Sequence, residues 1–342
     1  GAFHGPGEDD CADVEEFFRI FFDERCGRIV EPEVSDIPFS EVFKIIEENK
    51  NRLNFDEAEQ FYTVAITEPP VCYGRTGRWT PGWTGGGTMT MPLLYYGSEL
   101  SKQRALSTLE FVTTVQSDFG YFYGVKAYDG IHHDCYGMYE EKYSAVFIRK
   151  HSDLAYFLFK QLEEMKKLGI TIPQKLENCA KKAVDALVNT FERYGEIGQF
   201  VNGETGEILV GGTTAGGVAL GALALASRWF GDNKYLRTAE MLGELYYERY
   251  IKNGIINGGQ AESMAAPDSE GAVGTLEGYI TMFECTGAEL WKRVAIAVGH
   301  QLASWVVSYD YVFPATSEFA RIGVKASGSV FANIQNKHAA PG

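Results

Sequence analysis

Two stretches of this chain align on each other. FGDNKYLRTAEML (residues 230–242) and TGAELWKRVAIAV (residues 286–298) share a glycine (Gly231, Gly287), an aromatic ring (Tyr235, Trp291), an arginine (Arg237, Arg293) and an alanine (Ala239, Ala295) at the same spacing. Leu176 and Ala180 fill the ring and alanine places one unit earlier, and Gly97 and Ala105 fit one unit before that, after an insertion. The periods are about 59 and about 56 residues. A repeat of this length fixes the architecture more tightly than any single segment. Each unit reads as a helix, a tight glycine turn and a second helix, which is an αα-hairpin. The first helix is small and apolar nearly all round, as in Thr213–Phe230, and belongs inside. The second is amphipathic, as in Asp232–Lys252, and belongs outside.

The helical reading extends over most of the chain. Ser98–Gln116, Tyr143–Leu168, Pro173–Tyr194, Ser269–Thr286 and Ala288–Val307 carry apolar residues three and four apart between Ser or Pro starts and Gly stops. Asp13–Asp23, Phe39–Arg52 and Asp56–Ile66 are expected to be helical too, within an N-terminal segment over residues 1–80. Ala326–Gly342 reads as the start of another inner helix, with His338 about three turns in. Hairpins of this length exceed tetratricopeptide and HEAT units and suit a closed ring. With its hairpin period, the G-x-x-x-[YW]-x-x-x-A outer-helix start and the PDSEG loop at residues 267–271, the chain resembles the six-hairpin glycosidase-like superfamily from about residue 80 onward. The resemblance implies an all-α fold, an α/α toroid of helical hairpins over residues 81–342. About four hairpins and the beginning of a fifth are visible, where a full ring has six. Either the segment 1–80, otherwise a lead-in, supplies helices, or the toroid is truncated at its C-terminus.

Composition narrows the partner. The net charge is −15, with 31 Lys+Arg against 46 Asp+Glu, and no basic cluster offsets it locally. A nucleic acid or an anionic membrane surface would be repelled, and no run of 18 apolar residues offers a membrane span. Six cysteines lie scattered with no CxxC pair. Read as buried free thiols, they favour a reducing, cytoplasmic setting. Neither a spaced HxH nor HExxH appears, so no metal and no cofactor are expected. Aromatics reach 13%, and aromatic faces suit sugar rings as well as cores.

In such a ring the loops entering the inner helices line one cavity, and the resemblance implies an active site there. Trp79 and Trp83 flank a Pro-Gly turn before the Gly85–Gly87 run. Either they pack, or they stack on a sugar. The insertion Ser117–Tyr143 carries His132, His133 and Asp134, as substrate contacts or as plain surface. Gln199 and Glu204 stand in a glycine-rich hairpin over residues 195–212. The loop at residues 258–271 holds Glu262, Asp268 and Glu270 just before an inner helix. As local structure alone, Asp268 or Ser269 caps that helix and Glu270 sits in its first turn, favoured by the dipole. As chemistry, Asp268 is the acid or base of a glycosidase and Glu270 or Glu262 its companion. Asp310 and Glu318 are further candidates for the second carboxylate. Arg321 suits a carboxylate clamp, and Tyr309 a lyase base.

The reading these residues favour is a glycoside hydrolase acting on an oligo- or polysaccharide through carboxylate acid/base catalysis. A polysaccharide lyase using Tyr309, His132 and Arg321 on a uronate is the alternative enzyme. A non-catalytic sugar-binding toroid is the alternative outside enzymes. Terpene-cyclase toroids are disfavoured because no DDxxD is present.

Overall fold

The computed structural model describes residues 10–26, 37–64, 71–72, 75–82, 85–127, 130–133, 144–261, 263–334 and 339–340. Two helices come first, α1 (Asp10–Cys26) and α2 (Phe39–Asn49). Four hairpins follow: α3 (Gly86–Tyr96) with α4 (Glu99–Val112), α5 (Ile148–Lys167) with α6 (Gln174–Tyr194), α7 (Ala219–Phe230) with α8 (Asn233–Arg249), and α9 (Ser269–Thr286) with α10 (Glu289–Ala303). Local chemistry explains their ends. Ser98 caps α4 by accepting from the Ser101 N–H, and Asp232 caps α8 by accepting from Lys234. Gly231 and Gly287 close α7 and α9 at φ 67°, a left-handed conformation that costs glycine little.

The division into inner and outer helices holds. α3 packs on α5, α5 on α7 and α7 on α9, so these four form a continuous inner arc. Every residue from Ala219 to Ala226 of α7 is buried. α6 and α8 are amphipathic, pack on each other and lie outside. The arc is tight at α7 and α9. A Cβ on Gly278 would come within 2.2 Å of the Gly217 carbonyl oxygen, and one on Gly217 within 2.2 Å of Thr275 Oγ1. α1 docks on α10, with Tyr247 donating to Glu15 at 2.7 Å and Phe22 5.0 Å from the His300 ring. α2 joins the other end, where Glu47 accepts from the Ser98 N–H at 2.6 Å and the Ser101 hydroxyl at 2.5 Å.

Four expected elements differ. Residues 55–62 are a β-hairpin rather than a helix, because Asp56 Oδ1 accepts from the Ala58 and Glu59 N–H groups and turns the chain back on itself. The inner helix expected from Thr213 begins at Ala219, after turns containing four glycines between residues 211 and 217. Tyr143–Leu168 opens with a strand, Ala145–Phe147, pairing with Phe200–Asn202, and only then becomes helix. Residues 326–334 are not helical. A turn at Gly328 (φ 88°) leads into strand Val330–Phe331, paired with Ala339–Ala340.

Candidate active site

The starts of the inner helices converge, and they bring charge with them. α5 opens IRKHSD, and Lys150, His151, Ser152 and Asp153 are all buried. Arg149, on the second residue of α5, reaches across to α9. Its Nε lies 3.1 Å from each oxygen of Asp153 one turn along the same helix. Its Nη1 donates to Glu270 Oε2 at 3.2 Å and to the Gly259 carbonyl at 3.0 Å. One guanidinium therefore ties together the second turn of α5, the first turn of α9 and the loop before α9. The Arg149 side chain keeps 13% of its exposure and Asp153 9%, whereas Glu270 keeps 36%. Burial works against the Arg149 charge, but Asp153 and Glu270 outweigh it and hold the group even more firmly protonated than usual.

Asp268 lies beneath Glu270 and is fully buried. It caps α9 through Oδ1, which accepts from the Gly271 N–H at 2.5 Å. Its Oδ2 accepts from the Gly259 N–H at 2.9 Å, so both oxygens are committed to backbone. Burial pushes its carboxyl up to about 6, against the pull of those two N–H groups and Arg149. Glu270 is steadied from its other side by Gln260 Nε2 at 2.7 Å, and Gln260 is in turn bonded to Asn333. The capping role and the position of Asp268 at the inner-helix mouth thus coincide in one residue. Of Asp153, Asp268 and Glu270, Glu270 is the most exposed.

The other expected site residues fall in different surroundings. Trp79 is 1% exposed and packs edge-on to Phe111 at 5.3 Å, so it belongs to the core and offers no face to a sugar. Its strand carries it inward beside Arg78, which bonds Asp56 and Glu59. His132 ends the strand Gly130–His132. His133 lies 3.5 Å from Glu204, which also accepts from the Tyr123 hydroxyl at 3.0 Å, so the insertion is pinned to the 202–206 turn. Gln199 is buried and donates to the Met264 and Gly258 carbonyls, supporting the loop rather than facing outward. Asp310 is exposed and accepts from the Ala326 and Ser327 N–H groups at 2.9 Å, which closes its own loop. Tyr309 is 63% exposed, and Arg321 is paired with Glu318 on one solvent-facing turn, so that guanidinium already holds a carboxylate. Trp83, Asp134, Glu262 and His338 lie outside the described residues. Arg149 and Asp153 do not stand out in the sequence, although five of the six residues that open α5 are polar.

A separate groove of about 730 Å³ runs outside the ring between α6 and α8, lined by Phe191, Arg237, Met241, Glu244 and Arg249 among others. Its carboxylates, Glu192, Glu244 and Glu248, all come from the outer helices and none from an inner-helix start. Among the described residues no cluster of three or more His, Cys, Asp or Glu is arranged to hold a metal ion.

No family model matches the sequence, and no curated protein matches it. Solved structures do. A glycoside hydrolase family 76 α-mannanase of Bacteroides thetaiotaomicron superposes with a TM-score of 0.57 at 10% identity, over 94% of this chain and 75% of that one. A family 76 mannosidase of the same organism gives 0.49 at 12% identity, over 78% of this chain and 71% of that one. A D-mannose isomerase gives 0.49 at 12% identity, over 67% and 59%. The first likeness establishes the fold: the chain is all-α, with the helical-hairpin architecture of an α/α toroid.

Proposed function

We propose that the chain is a carbohydrate-active enzyme, a glycoside hydrolase whose working groups stand at the starts of α5 and α9. The observation that carries this reading is the pair Asp153 and Glu270, contributed by two inner helices and joined through Arg149. Hydrolysis of a glycosidic bond needs two carboxyl groups, one to protonate the leaving oxygen and one to direct water or attack the sugar. Glu270 is the more exposed and meets the sugar. Asp153 lies across the same guanidinium, and buried Asp268 fixes the loop and the helix start that carry Glu270. The α-mannanase likeness supports a glycan substrate for this mouth.

The test is a panel of oligo- and polysaccharides with product masses read by spectrometry. A product heavier by one water marks a hydrolase, whereas an unsaturated product absorbing in the ultraviolet marks a lyase. Glu270→Gln should then lower kcat by about a hundredfold or more while the fold stays intact. Full turnover in both Glu270→Gln and Asp153→Asn on a substrate the wild type cleaves would remove this pair from the chemistry.

A further inference from the structure

Arg149 contacts three different parts of the chain: Asp153 on its own helix, Glu270 on α9 and the Gly259 carbonyl in the loop between α8 and α9. Glu270 on its own is a flexible side chain in the first turn of a helix, more than a third exposed. A single salt bridge at that exposure would fix it weakly. Arg149 is different because it is itself immobilised: Asp153 grips its Nε with both oxygens at 3.1 Å, and its Nη1 is bonded to backbone. A planar guanidinium held at one edge presents the remaining N–H in a fixed direction, which an ammonium on a flexible stem does not do. Gln260 closes on Glu270 Oε1 while Arg149 takes Oε2, so each oxygen has its own donor.

We infer that Arg149 is a positioning residue for the reaction: it transfers the rigidity of the buried α5 start to Glu270 and sets where that carboxylate stands over the sugar. The inference rests on the glycosidase reading above and adds to it a residue that does not touch the reacting atoms. A carboxylate displaced by about 1 Å costs on the order of a hundredfold in rate. The loss should fall on kcat, because the sugar is still bound in its ground state while the transition state loses its partner.

The experiment compares wild type, Arg149→Lys and Arg149→Met, each alone and combined with Glu270→Gln, on the same glycan. Arg149→Lys keeps the charge and loses the fixed geometry. It is expected to lower kcat by about a hundredfold with KM within about threefold of wild type and a nearly unchanged melting temperature. In the Glu270→Gln background the same change should cost less than about threefold, because its target is already gone. Calorimetry with a protonated iminosugar, an oxocarbenium mimic, should show affinity falling while affinity for the product sugar holds. If Arg149→Met unfolds, the double-mutant cycle of Arg149→Lys with Glu270→Gln carries the test, since it keeps the charge and leaves Asp153 in place. An Arg149→Lys variant with wild-type kcat, or losses that add in full to those of Glu270→Gln, overturns the positioning role and leaves the glycosidase reading standing. A wild type that cleaves no glycan overturns the glycosidase reading and this one with it.

Discussion

Asp268 and His151 are both buried and both titrate in the acid range, with opposite signs. Burial raises Asp268 from its ordinary 3.8 to about 6. The folded state therefore holds that proton more tightly than the unfolded chain; the stability linked to it is complete below about 3.8 and is lost as pH rises through about 6. His151 is lowered by burial from 6.5 to about 4, and its Nδ1 accepts from the Phe122 N–H while Nε2 faces the Ala183 carbonyl. Its contribution is present above about 6.5 and is lost as pH falls through about 4. Each effect reaches up to about 3 kcal/mol, at about 1.4 kcal/mol per unit of pKa, and over this window they oppose each other. Urea denaturation between pH 4 and pH 7 should separate them. The stability gap between wild type and His151→Gln should narrow as pH falls, and an unchanged gap would mean that His151 is charged in the fold. The gap to Asp268→Asn should widen as pH falls. That variant should also lose about 1–3 kcal/mol, because Asn has one carbonyl oxygen where Gly259 and Gly271 each need an acceptor. From sequence, Asn stands in for Asp as a cap at little cost; the second N–H, nine residues back in the loop, is a tertiary fact. Asp268 and Glu270 were legible because PDSEG precedes an inner helix. Arg149 and Asp153 were not, because charged residues on a long amphipathic helix read as its solvated face.

At the scale of the element, glycine tells two stories within α9. Gly278 faces the Gly217 carbonyl, where a methyl group has no room, whereas the nearest atom to a Cβ on Gly274 is at 3.8 Å, an ordinary contact. Gly278→Ala should therefore cost about 3 kcal/mol through overpacking against backbone. Gly274→Ala should be neutral or stabilising by roughly 0.5–1 kcal/mol, since it replaces a poor helix former without strain. Thermal melts of the two variants check both signs, and equal melting temperatures would refute the close α7–α9 approach. The hairpins were readable in sequence because left-handed glycines such as Gly231 and Gly287 punctuate a period of 3.6. The hairpin at residues 55–62 was not, since strands of two residues are too short to alternate. The strand Ala145–Phe147 vanished into the helical pattern that follows it.

The whole molecule is an arc whose far end is covered by its own N-terminal helix. Arg25 of α1 donates to the Val306 carbonyl just past α10, and Val14 and Phe18 lie against Gly254. Removing residues 1–26 should raise hydrogen exchange along α10, amides 289–303, while α5 and α7 keep their protection. Unchanged exchange in α10 would show that α1 contributes nothing there. Sequence gave the hairpin order, because that order is written in local repeats. It did not give the docking of α1 on α10, or of α2 on the first hairpin, because nothing periodic links segments so far apart.

That docking has a consequence for synthesis. Arg25 and Val306 are 281 residues apart. At roughly 5–20 residues per second, α1 leaves the ribosome roughly 15–60 s before its partner exists. During that interval the α3–α5–α7 arc can assemble from neighbours already made. Phe18 can rest on Gly254 once that turn is made, but Phe22, whose ring meets His300, waits until α10 emerges. A nascent chain stalled before residue 289 is therefore expected to carry α1 as a standing apolar handle for a holdase, released only when the last hairpin is translated.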